Sequence, residues 1–245
     1  MGIQTYTARL IYTNKLTPDV YQLAFELPPD QNIVFEAGQY MIMFVPQEGG
    51  APLRKLYSIA SPSYQTGAFD LLVKTIEGGR ASEYVARLKE GETVMFQGPA
   101  GRFVLEKNER PKTFLCTGTG IAPIRSMILT ELYKGLKTDY YLFWGIRRRE
   151  DIFLDDEWEI LADRDEHFHF MVCASREHES PTKSSVPMRI DLHVQEKLLE
   201  LQKAGRDLNE FDYYICGGVP VIDGFRQQLL DLKVDNSHIY FEKFI

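Results

Sequence analysis

The sequence has few cysteines and no long apolar run. Cys116, Cys173 and Cys216 are the three cysteines, and each lies in an apolar segment, which predicts reduced thiols and a cytoplasmic location rather than a disulfide framework. A protein-ligated iron–sulfur cluster normally needs four cysteine ligands, so a sequence with three cysteines excludes a resident cluster. No stretch approaches the roughly 18 apolar residues of a membrane-spanning helix, and the amino terminus lacks the pattern of a signal peptide. The sequence therefore predicts neither membrane insertion nor a cleaved signal.

Positive charge is also scarce. The 245 residues include 28 Lys and Arg against 35 Asp and Glu, which gives a formal net charge of −7. Since nucleic-acid-binding proteins normally carry a basic face, this balance argues against a general nucleic-acid binder. At roughly 100–200 residues per domain, the length allows one large domain or two ordinary ones, either of which can bury a core without disulfides or metals.

The pattern of the sequence changes near residue 108. Before it, short apolar runs such as 20–27, 39–45 and 69–76 alternate with turn residues. Spacings of this kind predict a compact antiparallel β-barrel or sandwich over residues 1–108, and the barrel is the form we favour. One capping helix is predicted at 82–89, with Ser82 as its N-cap.

After the charged segment 107–111, strands alternate with helices. The sequence predicts an α/β doubly wound domain over residues 109–245, with a five-stranded parallel sheet covered by helices. Residues 177–187 are rich in Ser and Pro and are predicted to form an exposed, mobile loop. The predicted strands are 113–117, 140–144, 168–173, 213–216 and 239–241, and the predicted helices are 123–134, 152–162, 191–204 and 220–232.

The strongest motif follows the first strand of the second domain. Gly118, Thr119 and Gly120 lie in a strand-to-helix turn, where glycines let the backbone approach a diphosphate and the helix start offers free N–H groups. Pro123 is predicted at the first helical position, where its missing N–H costs nothing. The usual dinucleotide fingerprint has Gly at that position, so this loop is of a different class, and a simple tight turn is the alternative.

Three weaker motifs accompany the loop. In residues 54–58, an aromatic followed by a hydroxyl can stack on a planar ring and bond its edge, with a cation nearby for a phosphate. Residues 78–82 form a second glycine-rich helix start, and 216–218 follow a parallel strand where ligands of open α/β sheets bind. An ordinary strand, a plain turn and a buried thiol are the respective alternatives. The candidate binding residues are Arg54, Lys55, Leu56, Tyr57, Ser58, Gly79, Ala81, Ser82, Cys216, Gly217 and Gly218.

Taken in order, these motifs resemble the ferredoxin–NADP reductase superfamily of flavoproteins over nearly the whole chain. The aromatic-hydroxyl motif is matched by residues 55–58 and the Gly-any-any-Ser motif by 79–82. Residues 97–103 resemble the family's linker sequence, residues 118–123 its nucleotide-binding loop, and residues 216–218 its Cys-Gly turn. The resemblance implies a barrel that binds FAD and an α/β domain that binds a nicotinamide dinucleotide.

The resemblance also implies roles for the flavin-side residues. Tyr57 would lie along one face of the flavin ring, and Ser58 would hydrogen-bond near N5, the atom that accepts hydride. The family usually has Arg at position 55, whereas Lys55 is a point charge without a bidentate fork. Arg54 would point to the opposite face of the strand unless a bulge intervened, so the cation that meets the diphosphate stays open between the two.

The chain ends with a segment that resembles the family's terminal Glu-any-aromatic. By resemblance, Glu242 assists proton handling near the flavin and Phe244 covers its opposite face, although Ile245 follows the aromatic here. A plain terminal strand is the alternative. Ser58, Cys216 and Glu242 are the candidate catalytic residues.

Charge predicts NADP(H) as the dinucleotide. Ser175 and Arg176 follow the third strand of the α/β domain, where the resemblance places the 2′-phosphate of NADP. An NAD-preferring site more often has an acidic side chain there. Arg147 and Arg189 are predicted to complete a basic pocket by bidentate phosphate binding. A solvated charge run at 147–149, and Glu177 beside the pocket, argue the other way.

Three functions follow. The first is a reductase that transfers hydride between NADP(H) and FAD and single electrons to or from a small carrier such as ferredoxin or flavodoxin. The second is the flavin-containing reductase component of an oxygenase or other redox complex, with NADH as a further option. A non-catalytic nucleotide sensor is the third, and the presence of Ser58 and the Cys-Gly turn disfavours it. His167 and His169 share a strand face, but the five histidines lack convergent ligands, so no metal is predicted.

Overall fold

A computed structural model describes residues 3–244 of the chain. Packing divides the chain into two compact units. The first contains the chain up to Glu106 together with Ala122–Lys134, and the second contains Lys107–Ile121 and the chain from Gly135 onward. One helix therefore packs in the first unit although it follows position 108 in sequence. The predicted domain boundary between residues 108 and 109 stays a prediction.

The first unit is built on a six-stranded antiparallel sheet with the order β4-β3-β6-β1-β2-β5. Beyond edge strand β4, Ile59 bridges Leu71 of the opposite edge strand, so the sheet curls into a half-barrel, and the predicted antiparallel architecture is confirmed. The strands are β1 (Gln4–Lys15), β2 (Val20–Glu26), β3 (Tyr40–Val45), β4 (Leu53–Ser58), β5 (Ala68–Lys74) and β6 (Thr93–Ala100).

An aromatic cluster fills the half-barrel. Apolar residues recur at every second position of the strands, which places them on one face of the sheet. Phe25, Phe69 and Phe96 are wholly buried, and their ring centroids lie 4.8–5.7 Å apart. Tyr57 packs partly against this core.

Helix α1 (Arg80–Arg87) caps the half-barrel and begins two residues before the predicted start. Its N-cap is Gly79, so the prediction of Ser82 as N-cap is wrong. Ser82 is the third helical residue, and its Oγ accepts a hydrogen bond from the Ile76 N–H at 2.8 Å. The side chain therefore closes the preceding turn rather than capping the helix.

The second unit contains a parallel sheet with the order β10-β9-β8-β7-β11-β12. The predicted parallel α/β architecture is confirmed, with a sixth strand of two residues inside the segment predicted as a loop. That strand pairs with Val172 and Cys173. The strands are β7 (Lys112–Thr117), β8 (Tyr140–Ile146), β9 (Phe168–Ala174), β10 (Ser185–Val186), β11 (Asp212–Gly218) and β12 (Ile239–Phe244).

Four helices lie between and after these strands. They are α2 (Ile121–Lys134), α3 (Asp155–Arg164), α4 (Ile190–Lys203) and α5 (Val219–Asp231). In residues 3–244, no helix has the length and apolar character needed to cross a bilayer. Pro123 is the third residue of α2 rather than the first, a position still within the first turn, where N–H groups have no intrahelical partner.

Helix α2 is fastened to the segment that follows β4, inside the first unit. Arg125 Nη1 donates to the Ala60 carbonyl at 2.8 Å, and Ser126 Oγ donates to the Ser61 carbonyl at 2.6 Å. The Ser63 N–H donates to Thr130 Oγ1 at 2.9 Å. The three helix side chains that form these bonds are buried, so the bonds fix the chain just beyond Ser58.

Candidate cofactor-binding sites

Edge strand β4 separates the two candidate cations. It pairs with β3 in unbroken register, with Arg54 opposite Phe44 and Lys55 opposite Met43. Because successive strand residues point to opposite faces, Lys55 shares a face with Tyr57, while Arg54 lies on the other face. No bulge interrupts this pairing to turn Arg54 over.

The Arg54 guanidinium is engaged on its own face. It lies 5.4 Å from the centroid of the Phe44 ring, and its Nη2 donates to Gln97 Oε1 at 2.5 Å. Lys55 is exposed and forms no ion pair among the described residues. The geometry therefore favours Lys55 for a phosphate on the Tyr57 face.

Tyr57 and Ser58 combine an apolar ring with a buried hydroxyl. Tyr57 is half-buried against the core, and burial raises the pKa of its phenol, so the ring stays neutral at physiological pH. Ser58 is 6% exposed at the end of β4. An exposed apolar ring edge beside a positioned hydroxyl suits a planar heterocycle with polar ring atoms.

The start of helix α1 fits a diphosphate. A Cβ at Gly79 would lie 2.9 Å from Ser82 Oγ and 3.0 Å from the Ile76 carbonyl oxygen, so a side chain there would crowd the turn. The Ser82 hydroxyl accepts from the Ile76 N–H, which leaves its own hydrogen to donate to a ligand. Ala81 buries its side chain in the core, so only its backbone N–H is available to a phosphate.

The nucleotide loop and the Cys-Gly turn lie against each other in the second unit. Residues Gly118–Gly120 form a 3₁₀ turn between β7 and α2, and Gly118 has a φ of +52°. A Cβ at Gly120 would lie 2.5 Å from the Cys216 carbonyl oxygen, and a Cβ at Gly217 would lie 2.7 Å from Thr117 Oγ1. At Gly120 backbone thus packs on backbone, which glycine allows because it has no Cβ, and at Gly217 the missing Cβ makes room for the Thr117 side chain. Thr119 and Gly218 belong to the same pair of turns.

Trp144 contacts this loop and is absent from the sequence-based set of candidates. Its indole Nε1 donates to the Gly118 carbonyl at 3.0 Å, and the residue is wholly buried. A buried indole N–H normally has a partner, and this was the one signal that the sequence offered.

Cys216 is a neutral neighbour of the loop rather than an exposed nucleophile. The residue is wholly buried. Burial, followed by the charge of Glu242, raises the pKa of its thiol well above the usual value. In the sheet Cys216 pairs with Glu242, and Gly218 pairs with Phe244, so the two terminal candidates lie beside the Cys-Gly turn. Ile245 lies outside the described residues.

The predicted basic pocket is assembled only in part. The Arg176 N–H donates to the Arg147 carbonyl at 2.8 Å, and the Ser175 N–H donates to the Ile146 carbonyl at 3.1 Å. Within residues 3–244, the exposed Arg147 and Arg176 side chains form no ion pair. These contacts hold the backbone of both arginines just beyond the carboxyl ends of β8 and β9.

Arg189 and Glu177 have partners of their own. Arg189 binds Asp191 through two bonds of 3.0 and 2.8 Å, and this hydrogen bonding raises the pKa of the guanidinium. Glu177 Oε1 accepts from the Arg149 N–H at 2.9 Å. Arg189 must therefore exchange Asp191 for a phosphate if it joins the pocket.

His169 on β9 and His167, the residue just before that strand, belong to a surface cluster. His167 Nδ1 lies 2.9 Å from Asp139 Oδ1, and His169 stacks on Tyr141 at 4.9 Å. In the part of the chain that the structure describes, no group of three or more His, Cys, Asp or Glu is arranged to hold a metal ion.

Comparison with known families matches one domain model to each part of the chain. Residues 7–105 match the model of the oxidoreductase FAD-binding domain, and residues 114–227 match that of the oxidoreductase NAD-binding domain. The chain is 33% identical over 243 residues to ferredoxin–NADP reductase B of Sorangium cellulosum, which covers 98% of both chains. It is 27% identical to the toluate 1,2-dioxygenase electron transfer component of Pseudomonas putida, over 98% of this chain and 67% of that protein.

Solved structures share the fold. A ferredoxin NADP⁺ reductase from Neisseria gonorrhoeae, with bound FAD and NADP, superposes with a TM-score of 0.82 at 21% identity over 99% of both chains. A cytochrome P450 reductase from Amycolatopsis gives 0.84 at 23% identity, over 99% of this chain and 70% of that one. At these identities the likeness shows the fold alone.

A domain that binds FAD, followed by one that binds a nicotinamide dinucleotide, defines a flavoprotein reductase. With a relative 33% identical along its full length, the chain belongs to the ferredoxin–NADP reductase family. The predicted resemblance and the predicted oxidoreductase activity are confirmed.

Proposed function

We propose that this chain is an NADPH-dependent reductase that transfers hydride between NADP(H) and FAD, and single electrons to or from a small redox protein such as ferredoxin or flavodoxin. The observation that carries the NADPH preference is the exposed pair Arg147 and Arg176, joined by a backbone bond of 2.8 Å. Neither side chain has a carboxylate partner among the described residues. The full-length similarity to a ferredoxin–NADP reductase supports the class of electron carrier.

In this proposal residues 1–108 hold the flavin and residues 109–245 hold the dinucleotide. When bound, FAD supplies the conversion between two-electron and one-electron transfer. Tyr57 supports the ring, Ser58 donates to its edge, and Lys55 with the start of α1 neutralises the diphosphate. The Lys55 ammonium, which forms no ion pair with any residue in 3–244, and the Gly79 turn support these assignments.

The dinucleotide is held by backbone at one end and by charge at the other. The N–H groups of residues 118–120 and of the Cys-Gly turn receive its diphosphate, as helix starts and glycine turns commonly do. Ser175, Arg176 and Arg147 receive the 2′-phosphate, and Arg189 joins them by leaving Asp191. Glu242 and Phe244, paired with Cys216 and Gly218, lie by this assignment beside the reacting ring, where Glu242 handles protons and Cys216 stays neutral.

The test uses the FAD-loaded full chain under anaerobic conditions. It is reduced with NADPH and then mixed with a panel of purified carriers: a ferredoxin, a flavodoxin, and the iron–sulfur protein of an oxygenase. We expect fast flavin reduction by NADPH and fast transfer to ferredoxin or flavodoxin. Slow reduction by both NADPH and NADH would overturn the reductase assignment.

A second function is the reductase component of an oxygenase. The observation that favours it is the match to the toluate dioxygenase component, which spans 98% of this chain and 67% of that protein. In the same panel, transfer restricted to the oxygenase iron–sulfur protein, with NADH as the better donor, would select this function instead.

A further inference from the structure

We propose that Trp144 is a positioning residue for dinucleotide binding: its indole N–H orients the Gly118 peptide so that the loop presents its N–H groups to the diphosphate. The inference rests on the proposed role of residues 118–120. It assigns a function to a buried side chain of β8 that belongs to none of the motifs.

The contact is well defined in the second unit. Trp144 is paired with Cys116 across the parallel strands β7 and β8, two residues before the loop begins. Its ring packs edge-on against Phe153, with centroids 4.7 Å apart at 74°. From this fixed position Nε1 reaches the Gly118 carbonyl oxygen at 3.0 Å.

The geometry of the peptide bond explains the consequence. The Gly118 carbonyl and the Thr119 N–H belong to one planar trans peptide, so they point in opposite directions. Holding the carbonyl toward the buried indole therefore turns the Thr119 N–H away from it. The same carbonyl also accepts from the Ile121 N–H, which closes the 3₁₀ turn, and a carbonyl oxygen has two lone pairs for two donors.

The loop needs such a restraint because of its composition. Glycine populates left-handed and right-handed conformations about equally, and Gly118 has a φ of +52° with no heavy atom within 4 Å of a Cβ position. Local sterics thus do little to fix this peptide. The indole donor supplies the preference that the glycine lacks.

The chain provides a matched control in its other tryptophan. Trp158 is also wholly buried, but among the described residues its Nε1 has no hydrogen-bond partner. Trp144→Phe removes a donor that is used, whereas Trp158→Phe removes one that is not. Both substitutions delete the same atoms from a buried aromatic position.

The experiment measures binding to the oxidised, FAD-loaded protein by calorimetry. The ligands are NADP⁺ and NAD⁺, which share the diphosphate, and 2′-AMP, which has no 5′-diphosphate. For Trp144→Phe we expect a rise of about five- to tenfold in the Kd of whichever dinucleotide the parent binds more tightly. This is the effect of losing one ordinary hydrogen bond. The Kd of 2′-AMP should stay the same, and Trp158→Phe should bind all ligands like the parent.

Two results would overturn the proposal. One is unchanged dinucleotide binding by Trp144→Phe, and the other is an equal loss for 2′-AMP, which would reduce Trp144 to a packing role. A parent protein that binds neither dinucleotide would instead overturn the proposed function, so the two failures are distinguishable.

A second variant covers the case in which Trp144→Phe does not fold. The chain has two tryptophans, so in the Trp158→Phe background a benzothienylalanine supplied in place of tryptophan enters only position 144. This isostere keeps the shape of indole and lacks its N–H. The same loss of dinucleotide affinity is expected, and parental affinity would overturn the proposal.

Discussion

At the scale of single residues, neighbours in sequence have different surroundings. Arg54 packs on Phe44 and donates a hydrogen bond to Gln97. Lys55, on the opposite face of the strand, has no such partner among the described residues. In the same way Arg189 is paired with Asp191, whereas Arg176 forms no ion pair within residues 3–244. Lys55, Arg147 and Arg176 are thus available for a phosphate among the described residues, whereas Arg189 must first leave Asp191.

Arg176→Ala should weaken the use of NADPH selectively. A charge-assisted phosphate contact contributes roughly 1.5–3 kcal/mol, so kcat/KM for NADPH should fall about 10- to 100-fold, and NADH, which has no 2′-phosphate, should be nearly unaffected. Steady-state kinetics with both dinucleotides measures this, and raising salt should weaken NADPH use more than NADH use. Arg164→Ala, an exposed arginine of α3, controls for net charge. A parent that prefers NADH, or an equal loss for both, contradicts the pocket.

Ser58→Ala should slow hydride transfer while FAD stays bound. A hydrogen bond near the reacting atom matters more in the transition state than for cofactor affinity, and a bond of about 1.4 kcal/mol corresponds to a tenfold slower step. Anaerobic stopped-flow absorbance measures flavin reduction. Ser63→Ala, five positions along the same segment, should react at the parental rate. If Ser58→Ala also reacts at the parental rate, Ser58 has no catalytic role in hydride transfer.

At the scale of elements, a buried charge cluster ties the start of β11 to the start of β7. Asp212 is wholly buried, and its Oδ2 lies 2.8 Å from Lys112 Nζ and 2.9 Å from Asn108 Nδ2. Arg110 Nε and His238 Nδ1 approach Oδ1 at 3.1 and 3.3 Å. Residues of segment 107–112 are thereby held to the second unit at the sheet end opposite the nucleotide loop.

This cluster predicts a pH-dependent stability. Burial alone would raise the pKa of the Asp212 carboxyl, but hydrogen bonds and charges from Lys112, Asn108 and Arg110 outweigh it and lower the pKa. A lowered folded-state pKa contributes stability above the unfolded value of about 3.9. That contribution is lost as pH falls through the folded pKa.

Asp212→Asn should destabilise the protein by about 3–5 kcal/mol at neutral pH, because buried cations lose their counter-charge. Chemical denaturation followed by circular dichroism gives the free energy of unfolding. Glu210→Gln breaks the exposed Arg206–Glu210 pair and should cost less than about 1 kcal/mol. Comparable losses for the two variants would contradict the assignment.

The elements also show which features a sequence can predict. The longer strands of the second unit were predictable because each is a short apolar run, and the nucleotide loop was predictable because its glycines directly follow the first of these runs. Strand β10 was missed because two residues carry no periodicity. Ser82 was misplaced because its oxygen bonds back to Ile76 rather than forward along the helix, and the partner of Trp144 lies 26 positions away, beyond any local pattern.

At the scale of the whole molecule, the purified chain should contain about one FAD. The flavin strand, the α1 start and the match to an FAD-binding domain over residues 7–105 all lead to this expectation. Visible absorbance and chromatography of the released cofactor measure identity and stoichiometry. Folded, colourless protein that cannot be reconstituted with FAD would contradict this prediction. Release of FMN would show that the cofactor is FMN rather than FAD.

All three cysteines are buried, and this gives the molecule a practical property. Burial raises the pKa of Cys173 to about 12 and holds the pKa of the other two thiols well above the usual range, so alkylating reagents find almost no thiolate at neutral pH. A cysteine introduced in place of Tyr133, which is 73% exposed at the end of α2, would then be the single reactive thiol. The native sequence can therefore be labelled at one introduced cysteine without first removing the native ones. A fluorophore or spin label at that position would report the binding of an electron-transfer partner.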